Sequence, residues 1–248
     1  MPPTEPELAA LPVSKGFRLR GTNMTRIETF TDAAFAFAVT LLVVSLEVPQ
    51  AFTELREALI GAPAFAASFA ILMQFWATHW RFSRRYGLED ALTIFYSCLL
   101  VFIILVYVVP LKFLMKGFQD WATNLLFGVT SANPVQINAA QLAELFVVYG
   151  AGFAVVCLLL AAMYHHALAL REELALNDLE RFDTVTEIQS LLLTACVAGA
   201  SMLTAILLPM TRYALPGLVY FSLAIVLPWH GTHRQRGRNR RFGPQPGL

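Results

Sequence analysis

The sequence Arg26-Ile-Glu-Thr-Phe-Thr-Asp32 leads directly into an apolar stretch over 33–46. Charged side chains at the mouth of a membrane helix are costly unless they have partners, so they tend to serve a function. The apolar stretch is shorter than the roughly 20 residues that span a bilayer. It can span only if Glu28 and Asp32 lie inside the helix and are shielded by protein rather than lipid. We therefore predict that this first helix is an inner one, packed among neighbours or lining water.

Composition indicates an integral membrane protein. Of the 248 residues, 57% are hydrophobic and 14% are charged, and the mean hydropathy is +0.58, outside the balance of a soluble domain. We predict an all-α integral membrane protein with an N-terminal tail over 1–25, a six-helix transmembrane domain over 26–230 and a basic C-terminal tail over 231–248. Residues 1–14 are expected to be disordered. Six apolar windows without Asp, Glu, Lys or Arg are the candidate spans: 33–46, 58–80, 91–111, 145–170, 188–211 and 213–229.

Basic residues are distributed unevenly between the two sides of this bundle. The side with both termini and the loops 81–90 and 171–187 holds 14 of the 18 Lys and Arg residues. The positive-inside rule makes that side cytoplasmic, and an even number of spans requires both termini to share a side. The arginines of the C-terminal tail directly follow a membrane helix, so topology and anionic lipid heads are a better interpretation than nucleic acid. We expect the lipid bilayer as a partner and no nucleic acid.

Catalytic signatures are missing from the sequence. It contains no Gly-rich phosphate loop, HExxH, GxSxG or paired-cysteine motif. The three cysteines lie in apolar windows, so they imply no disulfide framework. His165 and His166 are adjacent and point about 100° apart on a helix, which makes them a poor metal pair. We expect neither an enzyme nor a bound metal or cofactor.

The second window ends in Phe75-Trp-Ala-Thr-His-Trp-Arg-Phe82. If the first two helices end on the cytoplasmic side, Trp76 and His79 lie at the depth of Arg26, Phe30 and Asp32. An intramembrane carboxylate needs a hydrogen-bond donor, and a His or Trp N–H can supply one. An interfacial aromatic belt with a snorkelling Arg and a helix cap explains the same residues. The residues by themselves leave the two interpretations equally weighted.

A family resemblance favours the functional interpretation. Arg26-x-x-x-Phe30-Thr31-Asp32 resembles the R-x-x-x-F-S-D signature that opens the first helix of the transmembrane protein 175 family of lysosomal and bacterial potassium channels, and the apolar run over 33–44 continues that pattern.

Two further elements carry the resemblance. Trp76-x-x-His79 is similar to the family's tryptophan–histidine element at the end of the second helix, and Pro110 to the proline late in its third. The strong similarity covers mainly residues 24–48 and 70–112. The last three predicted helices match the family only in number and length.

The resemblance implies a potassium channel in which four identical chains, each one six-helix repeat, surround a pore lined by the first helix. In the family a hydrophobic constriction maps onto Phe37, Leu41 and Val44, and a threonine implicated in ion preference onto Thr40. Spacings of four and three place the constriction residues on one helix face, a stripe that core packing would also explain. The Thr40 hydroxyl either offers an oxygen to a cation or back-bonds to the carbonyl of Ala36. The expected permeating ion is K⁺.

The sequence departs from the family pattern at three positions. Thr31 replaces a serine and keeps the hydroxyl. Phe37 replaces an aliphatic residue, so four phenylalanines would either narrow the pore or rotate aside. Trp80 stands where many bacterial members carry a second histidine, so the network around Asp32 is expected to be arranged differently.

The expected function is weakly selective, potassium-preferring permeation with a dewetting gate at Phe37, Leu41 and Val44. Arg26, Asp32 and His79 would hold the first helix to its neighbours, with Phe30, Thr31 and Trp76 in the same motif. The alternative from another class is a proton-coupled secondary transporter that titrates Asp32 and His79. Transporter sites usually sit near mid-membrane on broken helices, whereas these charges cluster at one end. A non-conducting scaffold is a third interpretation. A bacterial inner membrane is the expected location.

Overall fold

The computed structural model describes residues 4–44, 52–60, 62–128, 135–207 and 215–243. Over this part of the chain nearly all regular structure is helical, which confirms the predicted class. A small antiparallel hairpin pairs β1 (Val13–Ser14) with β2 (Phe17–Arg18). The helices are α1 (Glu5–Ala10), α2 (Arg26–Val44), α3 (Phe52–Ile60), α4 (Ala62–Tyr86), α5 (Ala91–Phe127), α6 (Ala139–Ala169), α7 (Asp178–Leu207), α8 (Leu215–Val219), a 3-10 turn (Tyr220–Ser222) and α9 (Leu223–Phe242).

Four helical stretches are long and apolar enough to cross a membrane. They correspond to the last four predicted windows, with mean hydropathies between 1.2 and 2.8. The first two windows fall on α2 and α4, which are helices of 19 and 25 residues but carry charged residues at one end. The six-span count therefore stays a prediction. The four stretches are Ala91–Leu125, Ala140–Ala169, Asp178–Leu207 and Leu215–Phe242.

Helix α5 is longer than its apolar window 91–111 predicted. It has 37 residues, continues through Pro110 and ends at Gly128, whose φ of +64° is the left-handed conformation that commonly closes a helix. At about 1.5 Å per residue it is about 55 Å long, more than the roughly 30 Å hydrocarbon core. Residues 112–127, which follow that window, are therefore helical as well.

The interior is built from aliphatic and aromatic side chains on α4, α5, α6 and α7. Helix α6 packs most extensively on α7, and α5 packs on α6. Helix α2 packs against α5 and α4, burying Phe35, Ala38 and Leu42 in the common core. These apolar contacts orient α2 and decide which of its faces is left uncovered.

The N-terminal residues are more ordered than predicted. Disorder over 1–14 is wrong for the described part of that segment, because α1 and the first hairpin strand lie there. Helix α1 begins at a capping box in which the Glu7 carboxylate accepts from the backbone N–H and hydroxyl of Thr4, each at 2.8 Å. The Thr-x-x-Glu spacing of that box was visible in the sequence.

The basic C-terminal segment is helical as far as Phe242 rather than an extended tail. Arg238 is buried, and its Nε donates to Asp183 Oδ1 on α7 at 3.0 Å. Arg234 lies over the ring of Phe182, 3.9 Å from its centroid. The four-residue spacing of these two arginines places both on the face of α9 that meets α7, whereas Arg236, Arg240 and Arg241 are exposed.

Candidate functional site

One face of α2 is left uncovered along the length of the helix. Phe30, Phe37 and Leu41 are 54%, 56% and 37% exposed. They recur with the spacing of one helix face. The opposite face, with Phe35 and Leu42, is buried against α4 and α5. Phe37 and Leu41, two of the three residues predicted to form the constriction, are therefore not packed into the core of the described residues.

The predicted third constriction residue, Val44, is the last residue of α2. Its side chain falls outside the described part of the structure. The backbone of α2 is helical as far as this residue. Val44 therefore follows Leu41 by three positions of a continuous helix, as predicted.

Thr40 lies on the same exposed side of α2. Its hydroxyl donates to the carbonyl oxygen of Ala36 at 3.0 Å, the back-bonding interpretation raised from the sequence. A hydroxyl that donates its single hydrogen keeps two lone pairs as acceptors. The two interpretations of Thr40 are therefore compatible, because the oxygen is still available to a cation.

Asp32 is tied to α4 by an aromatic donor. The indole Nε1 of Trp76 donates to Asp32 Oδ1 at 2.8 Å, a charge-assisted hydrogen bond of the stronger kind. Trp76 also stacks on Trp80, with ring centroids 6.4 Å apart. Of the two donors that the sequence offered for this carboxylate, the structure brings Trp76 to it.

His79 makes a different connection. Its Nε2 lies 3.2 Å from Ser97 Oγ on α5, and its ring is buried. Its Nδ1 is buried without a hydrogen-bond partner among the described residues. Asp32 and His79 therefore form two separate links, one from α2 to α4 and one from α4 to α5, rather than a single pair.

The other two signature residues have contrasting surroundings. Thr31 is fully buried, and its hydroxyl donates to the carbonyl oxygen of Ile27 at 2.8 Å. Arg26 is exposed and makes no hydrogen bond or ion pair with another described residue of the chain. Within one subunit, Arg26 does not hold α2 to its neighbours.

Sequence reasoning missed two residues at this site. Ser97 was invisible within an apolar window, where a single serine usually serves packing. Lys112 donates from α5 to the carbonyl oxygen of Leu42, in the last turn of α2, at 2.9 Å. Carbonyls in the last turn of a helix lack intrahelical partners, so a charged residue close behind Pro110 was a signal that could have been used.

Titratable residues do not gather into a metal site here. Over the described ranges, no three His, Cys, Asp or Glu residues lie close enough together to hold an ion. Instead, the site combines an exposed apolar helix face, one threonine oxygen on its flank, and buried polar links that fix the helix from behind. Such an arrangement suits the wall of a water-filled passage.

Comparisons with known proteins agree with this geometry. The family described as "Endosomal/lysosomal potassium channel TMEM175" matches residues 26–110, which include α2, α4 and Pro110. A protein from Marivirga tractuosa named "Potassium channel" is 35% identical over 215 residues, covering 84% of this chain and 87% of the relative.

Two solved structures share the fold. A variant of the potassium channel MtTMEM175, crystallised with a nanobody–MBP fusion, matches with a TM-score of 0.79 and 32% identity, over 91% of this chain and all of that one. A Chamaesiphon minutus homologue of the lysosomal potassium-selective channel TMEM175 matches with a TM-score of 0.57 and 20% identity, over 84% and 96% of the two chains. On the strength of the Marivirga relative and the signature residues on α2 and α4, the chain belongs to the TMEM175 family of potassium channels.

Proposed function

We propose that this chain forms a weakly selective, potassium-preferring cation channel in which four copies surround an axis lined by α2. The uncovered face of α2 is the observation that carries this proposal. In a membrane, an apolar helix face such as that of Phe37 and Leu41 can lie against lipid or against another subunit. The charged residues at the start of α2 and the relationship to potassium channels favour another subunit, because a channel needs helices around its ion path.

The apolar side chains near the C-terminal end of the uncovered α2 face would act as the gate. Phe37, Leu41 and, by its spacing, Val44 would each contribute a ring of four side chains to the passage. Hydrophobic constrictions close by dewetting, because a narrow apolar neck does not hold a continuous column of water. Phenylalanine is bulkier than the aliphatic residue usual at the first ring, so the closed state should be favoured.

Selectivity would rest on few oxygens. Thr40 is the polar side chain beside the constriction, and its hydroxyl oxygen keeps lone pairs after donating to Ala36. Four such oxygens replace only part of the hydration shell of a cation. Preference for K⁺ over Na⁺ is therefore expected to be modest.

The polar residues behind α2 would hold the pore helix in place without touching ions. The bond from Trp76 to Asp32 joins α2 to α4, and that between His79 and Ser97 joins α4 to α5. Arg26 would make its contact across the subunit boundary, since it is exposed in the single chain. The separate bonds of Asp32 and His79 give no support to a transporter that titrates them as a pair.

Location and orientation belong to the same proposal. We place the chain in a bacterial inner membrane with both termini in the cytoplasm, on the basis of its basic loops. The bacterial relative supports a cell membrane.

The test is a reversal-potential measurement on purified protein in liposomes, with K⁺ and Na⁺ on opposite sides. We expect a current whose reversal potential lies between zero and the potassium equilibrium potential. This current should not change when a proton gradient is imposed. Protein-free liposomes are the control. Flux that requires a pH gradient or a co-transported solute would contradict the channel and favour a transporter.

A further inference from the structure

We infer that residues 17–21, here called the strap, position the N-terminal end of the pore helix, with Arg18, Arg20 and Glu180 as the positioning residues that anchor it. The inference rests on the proposed function, because it takes α2 as the pore helix. It concerns residues that lie outside the channel signature and outside the matched range 26–110.

The anchor is a fully buried carboxylate. The side chain of Glu180, in the first turn of α7, is 0% exposed and is clamped by two guanidinium groups of the strap. Arg18 donates to it from Nε at 3.1 Å, from Nη2 at 3.0 Å and from the backbone N–H at 2.9 Å. Arg20 adds a bond from Nη2 at 2.9 Å. A buried charge is strongly unfavourable once a partner is removed, so the strap and Glu180 depend on each other.

The loop between α6 and α7 is shaped to receive the same two arginines. The carbonyl oxygen of Leu174 accepts from Arg20 Nε at 2.8 Å, and that of Ala175 accepts from Arg18 Nη2 at 2.9 Å. Ala175 has a φ of +45°, a left-handed conformation that costs a non-glycine residue about 1 kcal/mol. This conformation belongs to a Schellman helix end, in which the N–H groups of Leu176 and Ala175 donate to the carbonyls of Arg171 and Glu172. The end of this helical segment thereby directs the Leu174 and Ala175 carbonyls to the strap.

Apolar packing and backbone bonds fix the strap against α4 as well. Phe17 is 2% exposed; its ring meets Tyr86 edge-on at 5.7 Å and lies beneath the Arg85 guanidinium. The N–H of Gly21 donates to the carbonyl oxygen of Arg84 at 3.1 Å. A side chain at Gly21 would collide with the carbonyl of Ser83, so the backbone approaches as closely as only glycine permits.

The strap is joined to α2 by a short link. Residues 22–25 separate them, and the Thr25 hydroxyl accepts from the N–H of Glu28 at 3.1 Å in the first turn of the helix. Four residues reach at most about 14 Å, so the docked strap limits where α2 can begin. Its docking site is on α4 and α7. Releasing the strap should therefore shift the N-terminal end of α2 and change how often the passage is open.

The first measurement follows the strap itself. In purified protein, trypsin should cleave after Arg20 at least about tenfold faster in Glu180→Gln than in the wild type, since cleavage reports the population of the released strap. Asp178→Asn is the matched control. It removes a carboxylate from the same helix turn, but the Asp178 side chain is 86% exposed rather than buried. Cleavage after the exposed Arg236 is the internal reference. An unchanged cleavage rate in Glu180→Gln would overturn the inference.

The second measurement follows the pore. Single-channel recordings of Glu180→Gln should show open probability changed by about threefold or more, with the reversal potential unchanged and Asp178→Asn like the wild type. A released strap with wild-type open probability would overturn the inference while leaving the channel proposal intact. A wild-type protein that carries no potassium current would instead overturn the proposed function, and this inference with it.

A milder variant covers the case in which Glu180→Gln does not assemble. Arg18→Gln leaves Arg20 bound to the Glu180 carboxylate, so this variant should assemble. It should show smaller changes in trypsin cleavage after Arg20 and in open probability. Arg18→Lys should restore part of the protection, because an ammonium keeps the charge but not the two-pronged geometry. Arg18→Gln that resists trypsin and gates normally would overturn the inference.

Discussion

At Asp32, a single carboxylate oxygen links α2 to α4 through the Trp76 indole. Replacing the carboxylate by an amide keeps an acceptor but removes its charge. Asp32→Asn should therefore lower the free energy of unfolding by about 1–2 kcal/mol, the difference expected between charged and neutral hydrogen bonds. Thermal unfolding and the assembled fraction in detergent should change before the reversal potential does.

Trp76→Phe is the matched change on the other side of this bond. It removes the N–H donor while keeping most of the ring, and it should destabilise the protein to a similar extent. An Asp32→Asn protein that assembles normally yet loses its preference for K⁺ would contradict the holding role of Asp32 and place it on the ion path.

The sequence identified the chemistry at this residue but not its partner. A carboxylate in an apolar helix requires a donor, and Trp76 and His79 were both at the right depth. They are three residues apart on α4, so they project from neighbouring positions of one surface, and only packing decides which of them faces α2. Ser97 could not be recognised as the partner of His79, because a lone serine in an apolar run looks like a packing residue.

At the scale of helix α2, two neighbouring leucines distinguish the proposed gate from the core. Leu41 is partly exposed on the uncovered face, and Leu42 is fully buried. Leu41→Ala should widen the neck and raise potassium leak severalfold with little loss of stability. Leu42→Ala should instead cost about 2–5 kcal/mol of stability, as large-to-small changes in a core do. Liposome flux and thermal unfolding of both variants measure the contrast; equal leak from both would count against Leu41 as the gate.

For the strap, one glycine offers a test that leaves every charge in place. Gly21→Ala should cost about 1–3 kcal/mol, because the added methyl group meets a backbone carbonyl that cannot rotate away. Gly117→Ala, in α5, is the control, since a methyl group there meets nothing within 4 Å and should be neutral or slightly stabilising in a helix. Thermal unfolding and cleavage after Arg20 should both separate the two variants. A Gly21→Ala protein as stable as the control would contradict the tight docking.

Several elements were predictable in kind but not in length. Apolar windows located the long helices, yet they ended α5 at the first lysine. Lys112, Lys116 and Asp120 recur every four residues, which is the spacing of one helix face and a sign that the helix continues. The strap offered no such periodicity, since its order comes from contacts with distant residues on α4, α7 and the loop between α6 and α7.

For the whole molecule, the proposed pore requires four copies. The chain has a mass of 27.5 kDa, so a fourfold assembly should be found at about 110 kDa by native mass spectrometry after removal of detergent. The uncovered face of α2 predicts a closed ring, which buries the same patch on every subunit. A monomer or dimer under conditions that preserve activity would contradict the fourfold axis. No pattern within one sequence specifies this number, and here it came only from the family resemblance.

The proposed effect of the bulky Phe37 side chain on the pore depends on the fourfold assembly. Four copies of Phe37, each more than half exposed in the single chain, would meet around the axis and obstruct it in a way that no single subunit reveals. Phe37→Leu should therefore raise unitary potassium conductance or open probability severalfold, because the smaller ring leaves room for water and weakens dewetting. Phe35→Leu is the matched control: Phe35 is two residues away and buried in the core, so the change should lower stability and leave conductance unaltered. Both variants should be checked for fourfold mass before recording. If assembled Phe37→Leu conducts like the wild type, Phe37 rotates away from the axis, and Leu41 becomes the first ring that limits the passage.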